Sequence, residues 1–183
     1  MLRSLVLPAL VLTVSFTGLL APRPACAELT TGTTAPEFTA PAALGGAVST
    51  FDLKAALAKG PVVLYFFPKS FTEGCTIEAH LFSDHIADYQ RLGATVIGIS
   101  GDPIDQQKKF STEACRSSFL VASDPGLVIA KEYDAIIKQA PQYANRTSYV
   151  IAPNGTIAYA YTDLDPSLHV QNTLNALQAL KPK

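Results

Sequence analysis

The residues most suited to chemistry lie in one short segment. Pro68-Lys69-Ser70-Phe71-Thr72-Glu73-Gly74-Cys75 follows the apolar run Val62-Val63-Leu64-Tyr65-Phe66-Phe67 and leads into a helical pattern. The reactive form of a cysteine is the thiolate. A cysteine in the first turn of a helix meets the positive end of the macrodipole and backbone N–H groups without partners, and both favour the thiolate. Thr72, three residues earlier, can aim its hydroxyl into the same pocket. Pro68 has no N–H and a fixed φ, so it shapes the loop and shields the sulfur from water.

The elements around this segment must place it. Val62 to Phe67, bounded by Pro61 and Pro68, reads as a strand buried on both faces. A helix is predicted from near Cys75, with Ile77, Leu81, Phe82, Ile86, Tyr89 and Leu92 on one face and Gly93 closing it. Ala94 to Ser100 is a second buried strand, Asp105 to Cys115 a helix, and Phe119 to Ala122 a third apolar run. A short helix then runs to Tyr133, and Pro153-Asn154-Gly155 turns a hairpin between Thr147–Ile151 and Thr156–Tyr161. Leu168 to Leu180 is a last amphipathic helix. Upstream, Glu28 to Pro36 is a loose lead-in, Glu37 to Ala40 a short edge strand, Gly45-Gly46 a turn, and Ser49 to Leu53 the approach to a short helix ending at Ala58. This order predicts an α/β fold of the thioredoxin-like kind, a mixed central β-sheet flanked by helices. Cys75 then sits at the carboxyl end of the central strand, where such folds keep their chemistry.

Pro68, Thr72 and Cys75 match the Pro-x-x-x-Thr-x-x-Cys signature of the peroxiredoxins, and Glu78 also matches. Asn145-Arg146-Thr147-Ser148-Tyr149 resembles the family's Arg-bearing strand start. The resemblance runs through the chain from the apolar strand to the final helix. It implies that the Cys75 thiolate attacks a hydroperoxide and becomes a sulfenic acid. It further implies that Arg146 stabilises the thiolate and the leaving oxygen, that Thr72 and backbone N–H groups hold the peroxide in line, and that Glu78 orients Arg146. Pro68 and Glu78 belong to the substrate pocket on this reading. No metal, flavin or nicotinamide is implied. The implied reductant is thioredoxin-like or a small thiol, and the implied state is a monomer or weak dimer.

Leu64-Tyr65-Phe66-Phe67-Pro68-Lys69 and Cys75-Thr76-Ile77-Glu78-Ala79 look closest to the PrxQ or bacterioferritin-comigratory branch. Many members there have a second cysteine five residues after the first, but that position is His80 here, so the usual local disulfide cannot form. Cys115, late in the next predicted helix, is the other candidate for resolving the sulfenic acid. Otherwise it is a plain buried thiol, and an external thiol finishes the cycle. His80 reads either as a polar helix-face residue or as a nearby acid or base, His85 as a helix-surface or packing residue and His169 as a structural one. These residues show no metal-ligand spacing. Asn145-Arg146-Thr147 and Asn154-Gly155-Thr156 also fit an N-glycosylation pattern, and read better as a site arginine and a turn.

Three alternatives use the same fold. A thiol–disulfide oxidoreductase wants Cys-x-x-Cys, and Glu78 stands at the second position. A copper-binding protein wants Cys-x-x-x-Cys, and Ala79 stands there. A glutathione peroxidase wants a tryptophan, and the chain has none.

Composition limits the rest. The 183 residues are 48% hydrophobic and 16% charged with a formal charge of −1, which offers no broad electrostatic attraction for nucleic acid or an anionic membrane. Met1-Leu2-Arg3, the apolar stretch Leu5 to Leu20, Pro22, Pro24 and Ala25-Cys26-Ala27 have the three-part layout of a secretory signal peptide. Residues 1–27 are therefore expected to be removed, leaving one domain over 28–183 with two cysteines, no membrane attachment, and a periplasmic or other extracytoplasmic location.

Overall fold

Three runs of apolar residues set the centre of the sheet. In a computed structural model of the chain, which describes residues 28–180, they form β3 (Val62–Phe66), β4 (Thr95–Ser100) and β5 (Leu120–Ser123). β4 pairs in parallel with both β3 and β5, because helical crossovers separate the three in sequence. β1 (Thr39–Leu44) and β2 (Ala47–Asp52) form an antiparallel hairpin on the β5 side, and β6 (Thr147–Ile151) and β7 (Ile157–Thr162) form another on the β3 side. The seven-stranded order is β2-β1-β5-β4-β3-β6-β7. The mixed sheet agrees with the predicted fold class. The expected signal peptide lies outside the described residues. Among those residues no helix is long and apolar enough to cross a membrane.

Alternation along β3 divides the core. Val62, Leu64 and Phe66 join Leu53, Ile97, Ile99, Tyr133 and Tyr149 on one face. Val63, Tyr65 and Phe67 join Phe82, Phe110, Val121 and Leu174, together with Cys75 and Cys115, on the other. On this second face the Tyr65 ring stacks on Phe82 with centroids 4.3 Å apart and lies directly over Gly98, its register partner on β4. A Cβ at Gly98 would sit 2.6 Å from Tyr65 Cζ, so the close stacking requires glycine there.

The structure corrects several boundaries. The stretch read as an approach to a helix is the strand β2, with α1 (Leu53–Leu57) starting only after Asp52 accepts from the Ala55 N–H. The single helix expected from Cys75 to Leu92 is α2 (Glu73–Asp84) and α3 (Ile86–Arg91), broken at His85, whose φ of −105° and ψ of 10° leave the helical region. Ile77, placed by periodicity on the buried face, is 44% exposed. α4 (Ile104–Glu113) ends before Cys115, which lies past the C-cap Ala114. α5 is Val128–Glu132 and α6 is His169–Leu180, the latter preceded by a 3₁₀ turn, Pro166–Leu168.

Candidate active site

The site is built where β3 hands over to α2. Thr72 is the N-cap in extended conformation, its carbonyl accepting from the Thr76 N–H at 2.9 Å. Cys75 is therefore in the first turn, where backbone N–H groups have no carbonyl one turn back to bond. Its side chain is almost wholly buried.

Arg146 arrives from the start of β6, the strand paired antiparallel with β3. Each part of its guanidinium has a partner. Nε donates to the Leu164 carbonyl at 2.8 Å, Nη1 donates to Glu78 Oε2, and Nη2 reaches Cys75 Sγ at 3.6 Å. The planar fork of arginine suits three fixed directions in a way an ammonium does not. Arg146 is only 4% exposed and Glu78 is fully buried, so their contact and the sulfur share a site of low dielectric constant. Gly74 makes room for this approach. A Cβ there would lie 3.1 Å from Arg146 Nη2.

The loop before Cys75 is held by a buried polar network. The Ser70 N–H donates to Asp102 Oδ2 at 2.7 Å, and the Ser70 hydroxyl donates to Gln107 Oε1 at 2.9 Å. Ser100 also donates to Asp102, while Gln107 Nε2 donates to Ser100 Oγ and to the Ala122 carbonyl. The loop is thereby tied to the carboxyl ends of β4 and β5 and to α4. The ties offset local strain, since Phe71 sits at φ +66°, a region that bulky residues avoid. Phe71 also packs edge-on against Phe110, with centroids 5.2 Å apart.

Of the residues selected by motif, Cys75, Glu78 and Arg146 come together as one contact set. Pro68 and Thr72 flank it. The Thr72 hydroxyl donates to the Lys69 carbonyl at 3.0 Å and makes no hydrogen bond to Cys75, so its lone pairs remain free to accept. Cys115 is fully buried in the same apolar cluster as Cys75, and the two are not disulfide-bonded. Burial pushes its thiol well above the ordinary range. Sequence reasoning missed Gly74, Asp102, Gln107 and the surroundings of His169.

Residues 31–160 match the AhpC/TSA family. Peroxiredoxin Q, chloroplastic, of Oryza sativa subsp. japonica is 35% identical over 156 residues, which cover 85% of this chain and 70% of that protein. The protein of the same name from Sedum lineare is also 35% identical, with 85% and 81% covered. Among solved structures, peroxidoxin BcpB from Mycobacterium tuberculosis superposes with a TM-score of 0.74 at 28% identity, over 83% of this chain and 98% of that one. AhpC from the same organism, at 22% identity and a TM-score of 0.73, shares the fold, with 84% and 93% covered. The chain belongs to the AhpC/TSA family, the peroxiredoxins.

Proposed function

We propose that Cys75 is the nucleophile through which this peroxiredoxin reduces hydroperoxides, with Arg146 as its electrostatic partner and Glu78 as the residue that holds Arg146. Family membership makes the chain a thiol-dependent peroxidase. The observation that carries the assignment is the guanidinium of Arg146 bridging Cys75 Sγ and Glu78 Oε2 inside the core.

The Cys75 thiolate attacks the terminal peroxide oxygen, an S–O bond forms and the O–O bond breaks. The sulfur is oxidised to a sulfenic acid, and the departing alkoxide or hydroxide takes up a proton to leave as alcohol or water. Arg146 faces both the thiolate and the developing negative charge. Thr72, with its hydroxyl hydrogen committed to Lys69, accepts a hydrogen bond from the peroxide. A thiol then attacks the sulfenic acid, releasing water and forming a disulfide.

We infer that Cys115 supplies that thiol after a local opening. Two features support this. Arg116 and Ser117 both lie at positive φ, 50° and 57°, a costly arrangement for residues other than glycine. The exposed Arg116–Asp84 ion pair and the part-buried Ser83–Ser118 hydrogen bond are the polar ties of their segment to α2 among the described residues, beside the packing of Phe119 on Phe82. The burial of Cys115 favours the competing reading, in which an external small thiol or thioredoxin-like protein reacts first. Export through residues 1–27 to the periplasm or another extracytoplasmic compartment is a further proposal, supported by the three-part N-terminal pattern. The amino-terminal residue of the protein recovered from that compartment tests it.

Peroxide consumption in the presence of dithiothreitol tests the central assignment. Cys75→Ser is expected to abolish it, and full turnover by that variant would refute the assignment. Peptide mapping after oxidation then separates a Cys75–Cys115 disulfide from an adduct of Cys75 with added thiol.

A further inference from the structure

Glu78 has a hydrogen-bond partner on one side only. Its Oε2 accepts from Arg146, while Oε1 is buried without a partner. Oε1 faces His169 at the start of α6, whose Nδ1 is 3.7 Å away, and both side chains are fully buried. The other contacts of the imidazole fix its tautomer. Nε2 lies 2.9 Å from the Asp163 carbonyl, which can only accept, so Nε2 carries a hydrogen. In neutral His169 the bare Nδ1 then accepts from the Ser148 hydroxyl at 2.8 Å.

An ionised Glu78 would turn an unpaired carboxylate oxygen toward that nitrogen lone pair. Leaving a charged acceptor buried and unpaired is costly. A proton on Oε1 removes the conflict, its O–H turned toward Nδ1 across 3.7 Å and sharing that nitrogen with the Ser148 hydroxyl. The charge of the cluster calls for the same proton, since a Cys75 thiolate and a Glu78 carboxylate together outweigh the single positive charge of Arg146.

We propose that Glu78 and His169 retain one proton between Oε1 and Nδ1 at neutral pH, which makes His169 a positioning residue for peroxide reduction. This rests on Cys75 being the nucleophile. As a neutral acid, Glu78 still accepts from Arg146 through Oε2 but leaves the guanidinium charge facing the sulfur. Once the proton is lost, the carboxylate takes up much of that charge and the thiolate is less well supported. Burial acts in the same direction, pushing Glu78 up to about 8 against the pull of Arg146 and pushing His169 down to about 4. The proton therefore resides on Glu78 and the imidazole is neutral.

Several groups face His169 from the elements packed on it. They are Glu78 from α2, Arg146 and Ser148 from β6, the edge-on ring of Tyr161 from β7, and Asp163 and Asp165 from the loop that follows. Tyr89 of α3 engages Thr173 and the Val170 carbonyl further along α6. Among these, Glu78 is the titrating group placed against Nδ1.

The test is the rate of Cys75 alkylation by iodoacetamide across the pH range, read by mass spectrometry on the full chain. It uses no peroxide, so its failure is distinct from failure of the peroxidase reading. The wild type is expected to show an inflection near pH 8 that belongs to Glu78. Glu78→Gln is expected to lack it, and His169→Phe to move it down by about one pH unit as the acid loses its nitrogen acceptor. No such inflection in the wild type, its persistence in Glu78→Gln, or an unmoved inflection in His169→Phe would overturn the proposal. Should His169→Phe fail to fold, the ¹³C shift of the Glu78 carboxyl and the ¹⁵N shifts of His169 in the wild type decide. A protonated pair at neutral pH supports the proposal, and a carboxylate beside a neutral imidazole overturns it.

Discussion

Replacing Arg146 by Gln removes the one positive charge in contact with Cys75 while keeping a polar side chain of similar reach. The size of the effect follows from the geometry. Unit charges at the 3.6 Å between Nη2 and Sγ interact by about 4 to 5 kcal/mol at an effective dielectric constant of about 20. Relaxation of the site and entry of water return part of that, leaving on the order of 3 to 4 kcal/mol lost from the transition state. The second-order rate with hydrogen peroxide should then fall about 10² to 10³-fold. Arg146→Lys should fall in between, because an ammonium keeps the charge but cannot serve Leu164, Glu78 and Cys75 together. Stopped-flow mixing of reduced protein with peroxide gives the rate. Arg91→Gln, which removes an exposed arginine paired with Asp88, is the control. A rate for Arg146→Gln within threefold of the control would refute the electrostatic reasoning.

Three further outcomes are expected. Gly74→Ala places a Cβ 3.1 Å from Arg146 Nη2, so the guanidinium must give by a few tenths of an ångström; peroxide reduction should slow by about two- to fivefold without a matching loss of stability, read by stopped flow and thermal melting. Gly98→Ala sets a methyl 2.6 Å from Tyr65 Cζ in a ring already stacked on Phe82; it should destabilise by about 1 to 3 kcal/mol, and an unchanged melting temperature would contradict the packing described. Urea titrations against pH should separate Glu78 from His169. Glu78 is raised from 4.5 to about 8, so the folded state binds the extra proton and stability from this group falls as pH rises through that window. His169 is lowered from 6.5 to about 4, so the unfolded state binds the extra proton and stability from this group is lost as pH falls from 6.5 toward 4. Between 4.5 and 6.5 the two slopes oppose each other. Relative to wild type, His169→Phe should therefore lose stability with rising pH there, and Glu78→Gln should gain it.

How far the sequence could be read depended on whether the signal was local. β3 was legible because six consecutive buried apolar residues between two prolines have few other uses. β2 was not, because five of its six side chains are exposed and Ser49 and Thr50 give no apolar alternation; it exists through pairing with β1 across Gly45-Gly46. The break at His85 was hidden because the apolar spacing continues across it into α3. The pattern carries the helix on to Cys115, yet two left-handed residues follow it and its N–H bonds back to the Phe110 carbonyl. Cys75, Glu78 and Arg146 were found through spacing and family resemblance. His169 was passed over as structural because its meeting with Glu78 depends on how α6 packs against α2 and β6, which no local pattern encodes. Gly74 likewise gains its meaning only from an arginine far along the chain.

The most direct test of the central claim is to mix the reduced protein with one equivalent of hydrogen peroxide in the presence of a sulfenic-acid trap and map the peptides by mass. Rapid trapping at the Cys75 peptide, with the first oxygen never found on Cys115, is the expected result. A Cys75 left as free thiol while peroxide is consumed, or first oxidation at Cys115, would contradict it.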